Sequence, residues 1–435
     1  SSAGGAILAF QSKLEIKKSR FSQNEASSAG AVAVAAAPLV VSESVFEKNV
    51  ARQNFGGAIG VSRAKLEVRD GSKFIENRAR AGGAIEIGSS SRGEIIDSEF
   101  AGNQAESAVG GAILLSDHGQ LTIQGSQFRE NEARGHGGAI MSGGSELVVE
   151  DSIFEGNQAK ALEEMSEETD HCGGAIAGSE SHLEIRGSLF RKNHAGRGGA
   201  IFIKGGTVRV ESSSIVENTA LGWAGGIDFD DARESLLLNS TIAKNEALLA
   251  GGVYVHFESE VSILFSTIVR NRATGIEDED GSTTRPGPVG GIALANATLT
   301  MGATIVAENE ATGDLTNDFW MEPDRGANVA EFTSLGYNLV GDVAGSAKLL
   351  SPTPLLRADR SDQSGDGEGD GALDPQLEAL QEVKERFWIA LPQASSPVLD
   401  RVPATECREV TEVDQLETPR PVGDRCDIGA VERGE

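Results

Sequence analysis

Proline is nearly missing from most of this 435-residue chain. Of its 12 prolines only Pro38 precedes residue 286. Proline has no backbone N–H and is kept out of central strands, so the first two thirds are free to form continuous β ladders. The same scarcity excludes collagen and a Pro-rich linker. Basic residues are also few: Lys and Arg total 38 against 66 Asp and Glu, a formal net charge of −28. No Lys/Arg cluster in the sequence could make a basic face, which excludes nucleic acid as a partner. Anionic membranes would repel the chain, and the charge reads as solubility for a large exposed surface. The most apolar run, residues 30–41, is short and broken by Pro38, so no membrane-inserting segment is expected. Only three cysteines occur, Cys172, Cys407 and Cys426, with no Cys-x-x-Cys pair, which argues against a zinc site. A disulfide between Cys407 and Cys426 would imply an oxidising compartment. The chain begins at Ser1 inside a repeat motif and reads as a processed or trimmed fragment.

Glycine is what the chain has in excess, 54 residues, and the reason is a repeat. Gly-Gly-Ala-Ile occurs at 4–7, 56–59, 82–85, 110–113, 137–140, 173–176 and 198–201, with relaxed copies at Gly225, Gly251 and Gly290. The period is about 26 once polar insertions at 162–171 and 276–288 are set aside. Each period holds three short apolar stretches. They are the strand after the Gly pair, an alternating strand such as Leu121-Thr122-Ile123, and a Ser-x-Phe-x-x-Asn segment such as Ser126–Asn131. Alternation marks half-buried strands. Three strands per turn in parallel register predict an all-β, right-handed parallel β-helix over residues 1–342. Residues 343–435, where proline concentrates, are expected to be an irregular C-terminal cap packing on the helix end, because solenoids must blunt their ends.

In such a fold equivalent positions lie about 4.8 Å apart in successive turns. Ile59, Ile85, Ile113 and Ile140 would form one interior stack. Phe21, Phe46, Phe74, Phe100, Phe128, Phe154 and Phe190 would form another, continued by Ile215, Ile242, Ile268 and Val306. An asparagine column follows: Asn24, Asn49, Asn77, Asn103, Asn131, Asn157, Asn193, Asn218, Asn245, Asn271 and Asn309. Asn tolerates the left-handed conformation of a turn, and its amide can bond to its own copy one turn away. A structural ladder is therefore expected there.

The Gly-Gly-Ala-Ile and Phe-x-x-Asn motifs, over roughly residues 1–310, resemble those of the chlamydial polymorphic outer-membrane adhesins. That resemblance implies a passenger β-helix with an adhesive role. The C-terminal series includes Asp414-Gln415, Pro419-Arg420-Pro421 and Cys426-Asp427-Ile428-Gly429-Ala430-Val431-Glu432. It is similar to the choice-of-anchor Q bacterial surface proteins, in which a β-helix precedes this block and a sorting signal. It departs where Leu416-Glu417 stands in place of the usual Arg-Gly.

Right-handed β-helices also host polysaccharide-acting enzymes, whose sites cluster carboxylates on one outer face. Outward positions of the first strands would bring Asp228 and Asp230 beside Tyr254 and His256, with Phe202 and Lys204 on the preceding turn. This is the richest candidate binding patch; its bland reading is a solvated polar face. Asp366, Glu368 and Asp370 alternate with glycine like the start of a Ca²⁺ loop, but position 377, where the closing Glu belongs, is Leu377. A structural Ca²⁺ is the only cofactor suggested. The sequence therefore reads as an extracellular or bacterial cell-surface β-helix, a non-catalytic spacer and adhesive surface. Its partner would be a glycan or protein. The rival reading is an enzyme acting on acidic polysaccharide.

Overall fold

The computed structural model describes residues 4–434 apart from 89, 108, 162–170, 276–288, 313–316, 323–328, 344–360 and 366–371. Most of its strands are those of a right-handed parallel β-helix; Gln381–Val383 with Phe387–Ile389 and Val402–Pro403 with Arg425–Cys426 form antiparallel pairs, and the only helix among the described residues is Ala404–Val410. The described chain comprises two compact units, Ser1–Thr207 and Val208–Glu435.

In the first unit, strands such as Ile85–Gly88, Arg92–Ile96 and Glu99–Ala101 each pair in parallel with their copies one coil before and after. The register is strict: Ile59, Ile85, Ile113 and Ile140 are consecutive partners, all fully buried. From Phe21 to Phe190 the seven phenylalanine rings lie nearly parallel, centroids 4.7–5.0 Å apart and planes within 3–5°. Stacking at this spacing follows the strand separation and falls within the preferred range of aromatic centroid distances. Each coil also carries a fourth short strand, such as Gln104–Ala105 or Glu132–Arg134. It turns one buried alanine inward (Ala79, Ala105, Ala133) after each asparagine. Two or three residues are too few to show alternation, so only three strands per turn were legible. The Gly pair is required by close approach. A Cβ on Gly83 would sit 2.1 Å from the carbonyl oxygen of Gly111, and Gly82 has φ +59°.

The asparagine column is a hydrogen-bonded ladder. Asn131 Nδ2 donates to Asn157 Oδ1 (2.9 Å) and to the Phe100 carbonyl (3.0 Å). Its Oδ1 accepts from both the backbone N–H and Nδ2 of Asn103. Asparagine does not take the left-handed corner; the residue before it does, as Glu76 (φ 51°), Glu130 (φ 51°) and Lys192 (φ 55°) show. The side chain must stay inside the coil to reach its copy, which leaves the strained corner to its neighbour.

The second unit continues the same pattern with Ile215, Ile242, Ile268 and Val306 in the aromatic position, consecutive and buried. Its asparagine ladder runs Asn218, Asn245, Asn271, Asn309 and ends on a carboxylate that the sequence reading missed. Asp318 Oδ1 accepts from the Asn309 N–H (3.0 Å) and Nδ2 (2.8 Å), and Oδ2 from the Asp342 N–H (2.7 Å). A parallel ladder, Ser213, Ser240, Ser266, Thr304 and Asn338, ends the same way on Asp362 Oδ1 (3.0 Å). A carboxylate only accepts, so it closes a run of donors.

The C-terminal segment corrects the expected cap. Gln363–Ser364 does add a rung to Leu339–Val340 at the end of the stack. Residues 374–434, however, lie along the flank of the second unit, returning to the Ser214 coil at Trp388 and then advancing past Thr241 to Thr267. They dock on a lane of outward Ser214, Thr241 and Thr267, successive in register. The Trp388 N–H donates to Ser214 Oγ (2.8 Å), Thr241 Oγ1 to Gln415 Oε1 (2.6 Å), and the Ala430 N–H to Thr267 Oγ1 (3.0 Å). Gly429 (φ +101°) leaves no room for a Cβ, which would lie 2.8 Å from Ile305 and Thr267. Arg420 lies over the Phe265 ring at 4.6 Å and donates to Glu432 Oε1 (2.8 Å). Cys407 and Cys426 form a disulfide that ties the helix to the strand Arg425–Cys426. The lane explains the location. In the first unit the same position holds charged or bulky residues (Arg20, Lys73, Glu99, Gln127), whereas small hydroxyls here let a backbone approach and bond.

Replacing Asn131 with Asp keeps its acceptor but removes both donations and buries a charge. It is expected to cost about 3 kcal/mol or more, whereas Glu130→Gln beside it should stay within about 0.5 kcal/mol; urea midpoints of the two variants check this. Burial raises the carboxyls of Glu86, Asp318 and Glu432 to about 7. Between the unfolded carboxyl pKa near 4 and 7 the folded state then holds more protons than the unfolded one, so stability falls as pH rises through that window. The thermal midpoint should be lower at pH 8 than at pH 5, and Asp318→Asn should flatten the difference.

Candidate functional site

The outward patch forms as the register requires, but it is not a solvated face. In the second unit Ile227–Asp230 and Val253–His256 pair in parallel, with Asp228 opposite Tyr254 and Asp230 opposite His256. The expected juxtaposition is therefore present. Alternation fails here: every residue of these strands, and of Ile292–Ala295 on the next coil, is buried. The hydrogen bond is diagonal. His256 Nε2 meets Asp228 Oδ1 at 2.7 Å, with the two side chains 2% and 0% exposed. Stacking sets that diagonal, since the Tyr254 and His256 rings lie 4.1 Å apart and 14° from parallel.

Residues that sequence reasoning missed provide the cover. Trp223 ends the long fourth strand Thr219–Trp223 and stands edge-on to Tyr254 (5.8 Å) and His256 (5.2 Å). Phe257 lies 4.4 Å from the His256 ring. Trp223, Leu249 and Trp320 pack against the cluster that contains Tyr254, Ala293 and Ala295. The available signal was that Trp223 and Trp320 are two of only three tryptophans and that both fall beside the patch's strands. Phe202 lies in the first unit, where it packs with Cys172, Ala177 and Met141 and carries the Arg197 guanidinium 4.8 Å over its ring.

A carboxylate bonded to an imidazole can orient a general base, and a stacked tyrosine could supply a proton. All five candidate residues, Phe202, Asp228, Asp230, Tyr254 and His256, are at most 8% exposed. The Asp228–His256 hydrogen bond lies inside an aromatic cluster, where burial makes a partner for each polar group necessary. No group of three His, Cys, Asp or Glu among the described residues is arranged to hold a metal ion. Asp366, Glu368 and Asp370 lie outside the described residues. No described helix is long and apolar enough to cross a membrane.

A family described as "Right handed beta helix region" matches residues 1–170 and 164–286. No curated protein matches the sequence. Among solved structures, the periplasmic alginate epimerase AlgG is similar at 12% identity, covering 74% of this chain and 77% of that one with a TM-score of 0.32. A single-residue variant of the same enzyme matches at 13% identity, over 72% and 69%, with a TM-score of 0.34.

Asp228→Ala, which strands a buried imidazole donor, is expected to destabilise the protein by about 1–3 kcal/mol, and Asp228→Asn by less, because an acceptor remains. Equilibrium urea unfolding of both variants measures the difference.

Proposed function

The chain belongs to the right-handed β-helix family, and we propose that it is a secreted or surface-displayed solenoid that presents an interaction surface without turnover. One observation carries this reading: the Asp228–His256 pair brought together on the candidate face is sealed from solvent. What remains accessible is a surface of strand-borne charges. Many of them pair between coils, as Arg20 with Glu47, Lys73 with Glu99 and Arg270 with Glu308 do. Such exposed pairs contribute little stability, so they are free to vary with the demands of a partner. The Cys407–Cys426 disulfide fits an oxidising, extracytoplasmic compartment. The likeness of the terminal block to choice-of-anchor Q proteins favours display at a bacterial surface. The partner would be a cell-surface or extracellular glycan or protein.

A second reading, an enzyme acting on polysaccharide, is favoured by the 2.7 Å Asp228–His256 contact. A glycan array run beside a turnover assay on the same panel separates the two. Binding without release of reducing or unsaturated ends is expected. Release that disappears in a folded His256→Ala variant would establish the enzyme.

A further inference from the structure

The chain has no basic run in its sequence, yet the coil register assembles a small basic site. At the corner between the first and second strands of the first unit lies a shallow pocket of about 560 Å³. Arg63, Lys65 and Arg92 line it together with Ala36, Ala37 and Pro38, and no acidic side chain is in the lining. Arg63 and Lys65 stand 27 or more positions from Arg92, but Lys65 and Arg92 are direct partners across adjacent coils, hence about 4.8 Å apart along the stack. All three cationic residues are exposed. Lys65 is partly engaged by Glu67 (2.6 Å). Neither Arg63 nor Arg92 has an ion-pair partner among the described residues.

In a protein of net charge −28, two arginines without an ion-pair partner among the described residues, beside a lysine held by Glu67 with Glu94 near it, are the reverse of the surface average. Charges more than about 8 Å away are largely screened at physiological salt, so the local sign decides what binds here. The basic stretch is short. On the next coil Gln120 takes the register position of Arg92, and the Asp117 carbonyl accepts from Ser90 at the same corner. A long polyanion would leave this patch and meet the acidic surface around it. A ligand carrying one or two anionic groups would not. The volume is that of a small-ligand site. Ala36, Ala37 and Pro38 in the lining offer apolar contact to the carbon face of a sugar ring, while guanidinium groups suit a carboxylate.

We propose that the Arg63–Lys65–Arg92 corner binds an acidic sugar, a pyranose bearing a carboxylate, at the end or on a branch of a glycan. This rests on the reading of the protein as an interaction surface and gives that surface a ligand class. The test is calorimetric titration of the protein with a glucuronic-acid trisaccharide, a glucose trisaccharide and inorganic phosphate, repeated with Arg63→Ala/Arg92→Ala. The substituted residues are exposed, so an unchanged thermal midpoint shows that the variant is folded. The expected result is binding of the acidic trisaccharide alone, weakened about tenfold or more in the double variant and weakened again between 50 and 200 mM salt. Equal binding of phosphate, affinity unchanged in the double variant, or no binding of the acidic trisaccharide would each overturn the site. Cleavage of the trisaccharide, lost in His256→Ala and retained in the arginine variant, would instead overturn the non-catalytic reading.

Discussion

The inter-coil ladder is the constraint on which the rest of this protein depends. Each strand bonds to its own copy one turn away, so every side chain is packed chiefly against its equivalent in the next coil. That single condition selects phenylalanine over phenylalanine, isoleucine over isoleucine and asparagine over asparagine. It also selects glycine where backbones touch: a Cβ on Gly83 would collide with the carbonyl of Gly111. A side chain that suits one coil suits its neighbours, and a change of type propagates along a column. In the second unit Ile215, Ile242 and Ile268 stand together in the position that phenylalanine holds throughout the first.

A ladder of identical donors and acceptors must also stop. Each asparagine both accepts and donates, so the last one needs a group that only accepts. Asp318 and Asp362 are those groups, and Asp318 remains in place although burial disfavours its ionised form. The C-terminal segment meets a related need at the flank. Gln415, Arg420, Gly429, Ala430 and Glu432 are the residues that hold it on the Ser214–Thr241–Thr267 lane or close its own fold. A block that could be taken for a functional signature is, in this chain, a clasp.

The candidate site shows how similar residues can be read in two ways. Asp228, Asp230, Tyr254 and His256 have the side chains of an acid–base centre and the register to meet. Trp223, Leu249 and Trp320 turn their surroundings into a small second core outside the coil. Exposed cations meet elsewhere, at a corner where Lys65 and Arg92 become neighbours only through stacking.

From sequence alone the fold, its period and the columns of Ile59, Phe100 and Asn131 were legible, because a repeat writes each packing contact many times over. The pairing of Asp228 with the Tyr254 strand followed from the same register. Three features were decided only in the tertiary structure. The sealing of that patch depends on Trp223 and Trp320, which occur once each and carry no periodic signal. The flank position of the C-terminal segment depends on small hydroxyls at one outward column, whose meaning appears only when a second backbone lies against them. The basic corner depends on Lys65 and Arg92 being distant in the chain and adjacent in the stack. Repetition encodes what is inside the coil, while singular residues and their non-repeating contacts determine what the outside can bind.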